Sequence, residues 1–197
     1  MLSLSARPLP SCGVMIASAP PHRGLNRLLL ETDELIAPVS ETGCGHLRAY
    51  LGSKDPRTQH LRAVLKLGSG GRIRAGVIDR GSDDHAMIHW RGSEDGGVEV
   101  RLDEAALQVA APRPRVDILL AMPPPSRFHR TLPLFGMLGV NHVHLTNAGK
   151  VDKAYFASHM LRTDAHANVS LREALRLGLE QSGGVAMPRV TVGHPLP

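Results

Sequence analysis

The fold class is decided by residues 116–147, VDILLAMPPPSRFHRTLPLFGMLGVNHVHLTN. The run VDILLAM (116–122) is almost continuously apolar, which is typical of a strand covered on both faces. A helix is predicted over about 128–138, with Pro133 as a point of bending. NHVHLTN (141–147) predicts a second strand. A strand, a helix and a second strand in this order predict an α/β unit with a mostly parallel sheet.

The α/β pattern continues towards the C-terminus. Helices are predicted over 152–162 and 170–182, and PRVTV (188–192) predicts a third strand. Ser170 and Glu173 have the spacing of a capping box, which marks a helix start. The apolar face of the second helix would pack on the sheet and consists of Leu171, Ala174, Leu175, Gly178 and Leu179.

The chain before residue 110 has a different pattern. Short strand-like segments separated by glycine-containing turns predict a small β-barrel or sandwich over residues 25–109. One short amphipathic helix is predicted in RTQHLRAVLKL (57–67), ended by GSGG (68–71). The proline-rich AAPRPR (110–115) resists both helix and strand. The sequence therefore predicts an α+β protein of two domains, 25–109 and 116–197, with 110–115 as the linker.

Residues 1–24 form a leader of distinct composition. They are rich in Ser, Pro and Ala and contain arginines but no acid. This composition is typical of an organelle transit peptide and equally of a disordered extension. The first interpretation predicts a mitochondrial or plastid location, and the second predicts the cytoplasm. No apolar run approaches the roughly 18 residues that span a membrane, so no membrane partner is expected.

Charge is distributed unevenly along a basic chain. The formal net charge is +5 and the pI is about 9.8, which permits a polyanionic partner. No acid lies between Asp55 and Asp79, where a basic strip accumulates: Arg57, Arg62, Lys66, Arg72 and Arg74. Such a strip is typical of a nucleic-acid contact or of a solvated face. The aromatic content of 3% argues against a platform on which single-stranded bases stack.

Residue chemistry alone shows no active site. His142 and His144 point to one face of a strand, a spacing seen in metal sites. They have no acidic or Cys partner nearby, so we interpret them as ordinary strand histidines and predict no metal. Cys12 and Cys44 fit no metal spacing and indicate a reducing compartment. GSGG lacks the lysine of a phosphate-binding loop, and no G-x-S-x-G elbow occurs.

The order of the motifs resembles one family. HLRAVLKLGSGGRI (60–73) is similar to the signature of the RsmE-type 16S rRNA (uracil-N3)-methyltransferases, and NRLLLE (26–31) resembles their opening strand. Residues 116–147, KVDKAYFASHML (150–161) and LRLGLEQSGGVAMPRV (175–190) resemble the second domain of that family. The resemblance covers nearly everything after the leader.

The resemblance implies an N-terminal PUA-like β-barrel that binds RNA and a C-terminal SPOUT-type α/β domain. It implies that the protein methylates N3 of a uridine in small-subunit rRNA, with S-adenosylmethionine as donor and as a homodimer. It also implies contacts with rRNA phosphates from His60, Arg62, Lys66, Lys150, Lys153 and Arg162.

The sequence departs from the family pattern at the donor site. Family members hold the methyl donor in a trefoil knot built from a G-P-E-G-G loop and an L-G-x-x-I-L-R segment, and this sequence contains neither. We therefore expect a C-terminally truncated member with a partial SPOUT domain and doubtful donor binding, and we assign no catalytic or cofactor-binding residue. An unpaired sheet edge and exposed apolar surface are expected as well. The alternative is a non-catalytic RNA-binding or ribosome-assembly protein that retains the barrel.

Overall fold

The computed structural model describes residues 27–36, 45–92, 96–107, 116–158, 161 and 165–193, with the backbone alone for 165–170. The leader 1–24, the linker 110–115, Cys44 and Arg162 lie outside the described residues. The predictions made for them therefore stay predictions.

The first part of the chain forms a curled six-stranded sheet. Its spatial order is β1-β4-β5-β6-β3-β2, and every pair is antiparallel except β1–β4, which is parallel. Alternate residues of each long strand face one apolar core, as period-two patterning requires. The strands are β1 (Leu28–Leu30), β2 (Leu35–Ile36), β3 (His46–Leu51), β4 (Arg72–Val77), β5 (Gly81–Trp90) and β6 (Val98–Asp103).

Helix α1 (Pro56–Ala63) packs on this sheet through Leu61, which is 1% exposed. The predicted glycine stop at 68–71 is wrong, because the helix already ends at Ala63. The left-handed residue that turns the chain is Lys66, with φ of 49°. This early turn brings Leu67 against the core, and the GSGG segment leads into β4 instead. A four-residue helix, α2 (Glu104–Leu107), follows β6.

The second part is a parallel three-stranded sheet, as predicted. Its order is β7 (Asp117–Ala121), β8 (His142–Thr146) and β9 (Arg189–Val192). Helix α3 (Pro125–Leu138) connects β7 to β8, and α4 (Ala165–Ser182) precedes β9. The mixed α+β class is therefore confirmed.

Three local predictions need correction. Helix α4 begins at Ala165, so Ser170 lies inside the helix and is not its cap; the two alanines that precede it favour helix. The helix predicted over 152–162 is a 3-10 helix, Lys153–Ala157, within the described residues. There the Asp152 carboxylate accepts a hydrogen bond from the Ala154 amide at 2.9 Å and caps the turn.

Strand β7 is not covered on both faces, contrary to prediction. Ile118 and Leu120 pack towards the core, but Leu119 between them is 60% exposed. Exposed apolar side chains were expected in the second part of the chain. Leu138 at the end of α3 is another one, with 74% of its surface exposed. The continuous apolar run therefore predicted the strand correctly but not its surroundings.

Two apolar clusters hold the described residues together. One fills the six-stranded sheet, and the other lies between the three-stranded sheet, α3 and α4. Leu29 and Ile78 come from the first part of the chain yet belong to the second cluster. Arg27 forms hydrogen bonds with both parts of the chain. Its Nε donates to the Gly183 carbonyl at 2.8 Å, and its Nη1 donates to the Ala75 carbonyl at 3.0 Å. Within the described residues, no helix has the length and apolarity needed to cross a membrane.

Candidate nucleic-acid interface

Arg62 is the best-positioned member of the basic strip. It lies on α1 with its guanidinium 4.7 Å from the centroid of the Trp90 ring. Its Nη2 donates a hydrogen bond to the Gly96 carbonyl at 2.6 Å. A cation over an aromatic face is stabilised by the ring quadrupole. Arg62 is thus an exposed charge in a fixed orientation.

A cavity of about 290 Å³ opens beside Arg62. Polar side chains from α1 and the preceding turn contribute to its wall, together with the arginine itself. Its lining residues are Ser53, Thr58, Gln59, Arg62 and Ala63. The exposed lining of this cavity is mainly apolar, so the group beside it that can bind an anion is Arg62 itself.

The two other predicted residues of this region are placed differently. Lys66 is exposed and has no acidic partner in the described part of the chain. His60 is half-buried, and its Nε2 is a buried atom without a hydrogen-bond partner among the described residues. Arg62 and Lys66 therefore offer charge to solvent, whereas His60 presents its Nε2 inside the protein.

Arg57 is part of the basic strip in the sequence, but its side chain does not lie on the protein surface. Its side chain is 12% exposed, and its guanidinium donates to the carboxylates of Glu34 and Asp55 and to the Leu29 carbonyl. Burial alone would raise the pKa of Glu34, but the hydrogen bonds from Arg57 outweigh it, so that this pKa is lowered. Arg57 is a structural residue that connects β1, the chain before β2 and α1.

Lys150 and Lys153 are both exposed and lie after β8, in the second part of the chain. They follow the carboxyl end of a parallel strand, where α/β proteins commonly bind ligands. The third predicted residue of this group, Arg162, is outside the described residues.

His142 and His144 face the same side of β8, as predicted. Their ring centroids are 3.6 Å apart. Thr191 Oγ1 on β9 lies 3.0 Å from both His142 Nε2 and His144 Nδ1. No group of three potential metal ligands occurs among the residues that the structure describes. The histidines have a local hydrogen-bonding partner and form part of a polar patch on the sheet.

Glu180 is the most buried carboxylate of α4, at 8% exposure. Burial raises its pKa, and Arg176 at 3.5 Å counteracts this only in part. Its Oε1 has no hydrogen-bond partner within the described residues. Two further groups act on the Glu180 charge: Arg57 lowers its pKa and Asp55 raises it.

Sequence reasoning missed a second group of arginines that lie on the strands of the first sheet or directly after one of them. Arg48, Arg91 and Arg101 alternate with acidic or apolar residues along the chain, so no charge run marks them. The available signal was period-two spacing, which places alternate residues of a strand on one face.

Comparison with known proteins gives one related sequence. No family model matches this chain. Ribosomal RNA small subunit methyltransferase E of Treponema pallidum (strain Nichols) is 28% identical over 172 residues, which is 86% of this chain and 57% of that protein. The chain thus spans somewhat more than half the length of the curated relative that it matches.

Solved structures with a similar fold include two named methyltransferases. One is the Ribosomal RNA small subunit methyltransferase E from Neisseria gonorrhoeae bound to S-adenosyl methionine, with a TM-score of 0.53 and 16% identity over 87% of this chain and 62% of that chain. The other is a probable rRNA-methyltransferase from Porphyromonas gingivalis, with a TM-score of 0.50 and 18% identity over 73% of this chain and 56% of that chain. At this identity the likeness concerns the fold alone.

Proposed function

We propose that the chain is a member of the RsmE-type lineage of rRNA methyltransferases, whose members would methylate uridine N3 of small-subunit rRNA with S-adenosylmethionine, and that the residues described here supply the binding of that rRNA. The observation that carries this proposal is the match to the Treponema protein over 86% of the chain. The motif order at 60–73 and 116–147 supports the same assignment.

The proposed domain division follows the family. Residues 25–109 would form a PUA-like RNA-binding barrel, 110–115 the linker and 116–197 part of a SPOUT-type domain that pairs as a homodimer. The curled six-stranded sheet and the parallel three-stranded sheet support this division. The exposed apolar side chains of Leu119 and Leu138 are compatible with a second copy or a further segment packing on this part.

In this proposal the described part of the chain grips RNA by its phosphates. Arg62 and Lys66 on and after α1 would neutralise one stretch of backbone; His60 lies beside them on α1 with its Nε2 turned into the protein. Lys150 and Lys153 would act in the same way near the second sheet, and the same role is proposed from the sequence for Arg162. Contacts of this kind position RNA without reading its sequence.

The double variant Arg62→Glu/Lys66→Glu is expected to weaken binding of a small-subunit rRNA fragment by at least about tenfold. Loss of two phosphate contacts means that about two fewer counterions are released on binding. The negative slope of log K against log salt should therefore become shallower by roughly 1.5 to 2. Fluorescence anisotropy of a labelled rRNA fragment between 50 and 200 mM KCl measures both effects.

Lys54→Glu serves as the matched control, because Lys54 is an exposed cation near α1 that is not among the proposed contacts. It should leave the slope within experimental error. Circular dichroism of each variant checks that the sheet is intact. An unchanged slope in the double variant would remove Arg62 and Lys66 from the RNA contact.

The described residues do not form a recognisable binding site for the methyl donor. A bound cofactor commonly satisfies buried polar groups, but the unpartnered buried side-chain atoms described here are Tyr50 OH, His60 Nε2, His89 Nε2 and Glu180 Oε1. None of them lies at the carboxyl ends of β7, β8 or β9. The described residues therefore do not fit S-adenosylmethionine.

Calorimetric titration of this 197-residue chain with S-adenosylmethionine is expected to give only heats of dilution. The physical reason is that neither a G-P-E-G-G loop nor an L-G-x-x-I-L-R segment is present to surround the ligand. Titration of the rRNA fragment into the same sample is the positive control. A dissociation constant in the micromolar range for the donor would contradict this expectation.

A further inference from the structure

The six-stranded sheet carries an arginine face, which consists of Arg48, Arg72, Arg74, Arg91 and Arg101. We propose that this face binds the phosphate backbone of RNA, as a surface additional to the α1 contacts. The inference rests on the proposed function, since it names a further surface of the same RNA-binding protein.

Strand register places three of these arginines in one row across the sheet. Arg48 on β3 is paired with Arg101 on β6, Arg101 with Met87 on β5, and Met87 with Arg72 on β4. Their sequence neighbours Ala49, Val100 and Ile73 are buried in the core. Because successive residues of a strand point to opposite faces, the arginines of this row point outwards.

The row contains more positive charge than the protein neutralises. Arg48 and Arg101 stand directly opposite each other, and like charges in that position destabilise a sheet. Glu99 is 8% exposed and serves two arginines, because it accepts from Arg101 Nε at 2.7 Å and from Arg91 Nη2 at 3.0 Å. In the described part of the chain, Arg48 and Arg72 have no acidic partner.

Other acids near the face are engaged elsewhere. Asp84 forms its close ion pair with Arg27 at 2.8 Å and lies at the 4.0 Å limit from Arg74. The Asp103 carboxylate at the end of β6 accepts a hydrogen bond from the Ala105 amide at 2.9 Å. The face therefore keeps unneutralised guanidinium groups that an external anion can pair with.

The next row of the same face is largely buried. Tyr50, Glu99 and His89 are aligned across β3, β6 and β5. The Tyr50 hydroxyl and His89 Nε2 are buried without partners among the described residues, and Arg91 lies 5.2 Å above the Tyr50 ring. These two atoms are turned away from solvent, so the groups that this row offers to an RNA backbone are the guanidinium groups of Arg91 and Arg101 beside it.

The spacing favours a polymer over a single phosphate. Arg48 and Arg72 are separated by three strand spacings, about 14 Å at roughly 4.8 Å per strand. Guanidinium groups bind phosphate oxygens in bidentate geometry. A row of this length contacts several phosphates of one backbone, which a single small anion cannot bridge.

The test uses Arg48→Gln/Arg72→Gln, because these two arginines make no ion pair in the described structure and their loss leaves the Glu99 cluster intact. Anisotropy with the labelled rRNA fragment should show at least tenfold weaker binding at 150 mM KCl and a salt slope reduced by roughly 1.5 to 2. Arg189→Gln removes an exposed cation of β9 and should leave both quantities unchanged.

The outcomes separate this inference from the proposed function. If the unmodified chain does not bind the rRNA fragment, the proposed function and this inference both fail. If it binds, and only Arg62→Glu/Lys66→Glu weakens it, the arginine face alone is overturned.

Discussion

Gly178→Ala is expected to lower the free energy of unfolding by about 3 kcal/mol and to loosen the packing of α3 on α4. A β-carbon at residue 178 would overlap the carbonyl oxygen of Pro133 and approach the Pro133 carbonyl carbon at 2.8 Å and the Met137 amide nitrogen at 2.9 Å. All three are backbone atoms, so no side-chain rotation relieves the clash.

The contact is reciprocal, which increases the expected effect. A β-carbon on Gly136 of α3 would overlap the carbonyl oxygen of Leu175 and lie 3.0 Å from the Leu179 amide nitrogen. The two helix backbones therefore touch through a pair of glycines. Separating them disturbs Leu132, Phe135, Leu175 and Leu179, which belong to the second apolar cluster.

Gly149→Ala is the matched control, since it adds the same methyl group where no heavy atom lies within 4 Å. Urea denaturation followed by circular dichroism measures both variants. The control should stay within about 0.5 kcal/mol of the unmodified chain. A Gly178→Ala protein of unchanged stability would mean that α3 and α4 do not pack at this distance.

The glycine pair illustrates how far the sequence alone predicts this fold. Periodicity placed Gly178 on the buried face of its helix, and the structure confirms that face. It could not reveal that Gly178 faces Pro133, because the pairing of α3 with α4 depends on tertiary packing. Helix boundaries failed for a similar reason: α1 ends at Ala63 so that Leu67 reaches the core, a long-range requirement.

The positions of the charged residues also depend on tertiary structure that the sequence pattern does not show. A run of cations predicted one continuous basic strip, yet Arg57 within it is buried against two carboxylates that lie 2 and 23 residues away in sequence. Conversely, Arg48 and Arg101 lie far apart in the chain and become neighbours only through strand pairing. A run of charges in the sequence shows only local composition. Which charges lie together on the surface depends on the register of strand pairing.

Arg57→Ala is expected to destabilise the protein by about 3 to 5 kcal/mol at pH 7, because it leaves two partly buried carboxylates without their cation. Arg57 Nε and Nη2 bind Asp55 at 3.0 and 2.7 Å, and Nη1 donates to the Leu29 carbonyl at 3.0 Å. Glu34 also loses its ion pair. Arg74→Ala, with a side chain 64% exposed, is the control and should cost less than about 0.5 kcal/mol.

The effect of Arg57→Ala should depend on pH in a defined direction. In the unmodified chain, burial raises the pKa values of Glu34 and Asp55, but the hydrogen bonds from Arg57 outweigh burial and lower both. Their contribution is therefore fully present above the unfolded values of about 4 and is lost as the pH falls through the lowered folded values. Without Arg57, burial and the mutual repulsion of the carboxylates remain, so both folded pKa values rise.

As the pH falls and the two carboxylates become protonated, the stability lost through Arg57→Ala should therefore become smaller. We expect the difference in unfolding free energy to be largest near pH 7 and to shrink progressively below about pH 5. Urea titrations at pH 7, 5 and 3.5 measure it, and Arg57→Lys separates charge from geometry, since it keeps the cation but loses the fork that binds two carboxylates. A difference independent of pH would show that Arg57 acts through packing of its side chain and not through Glu34 and Asp55.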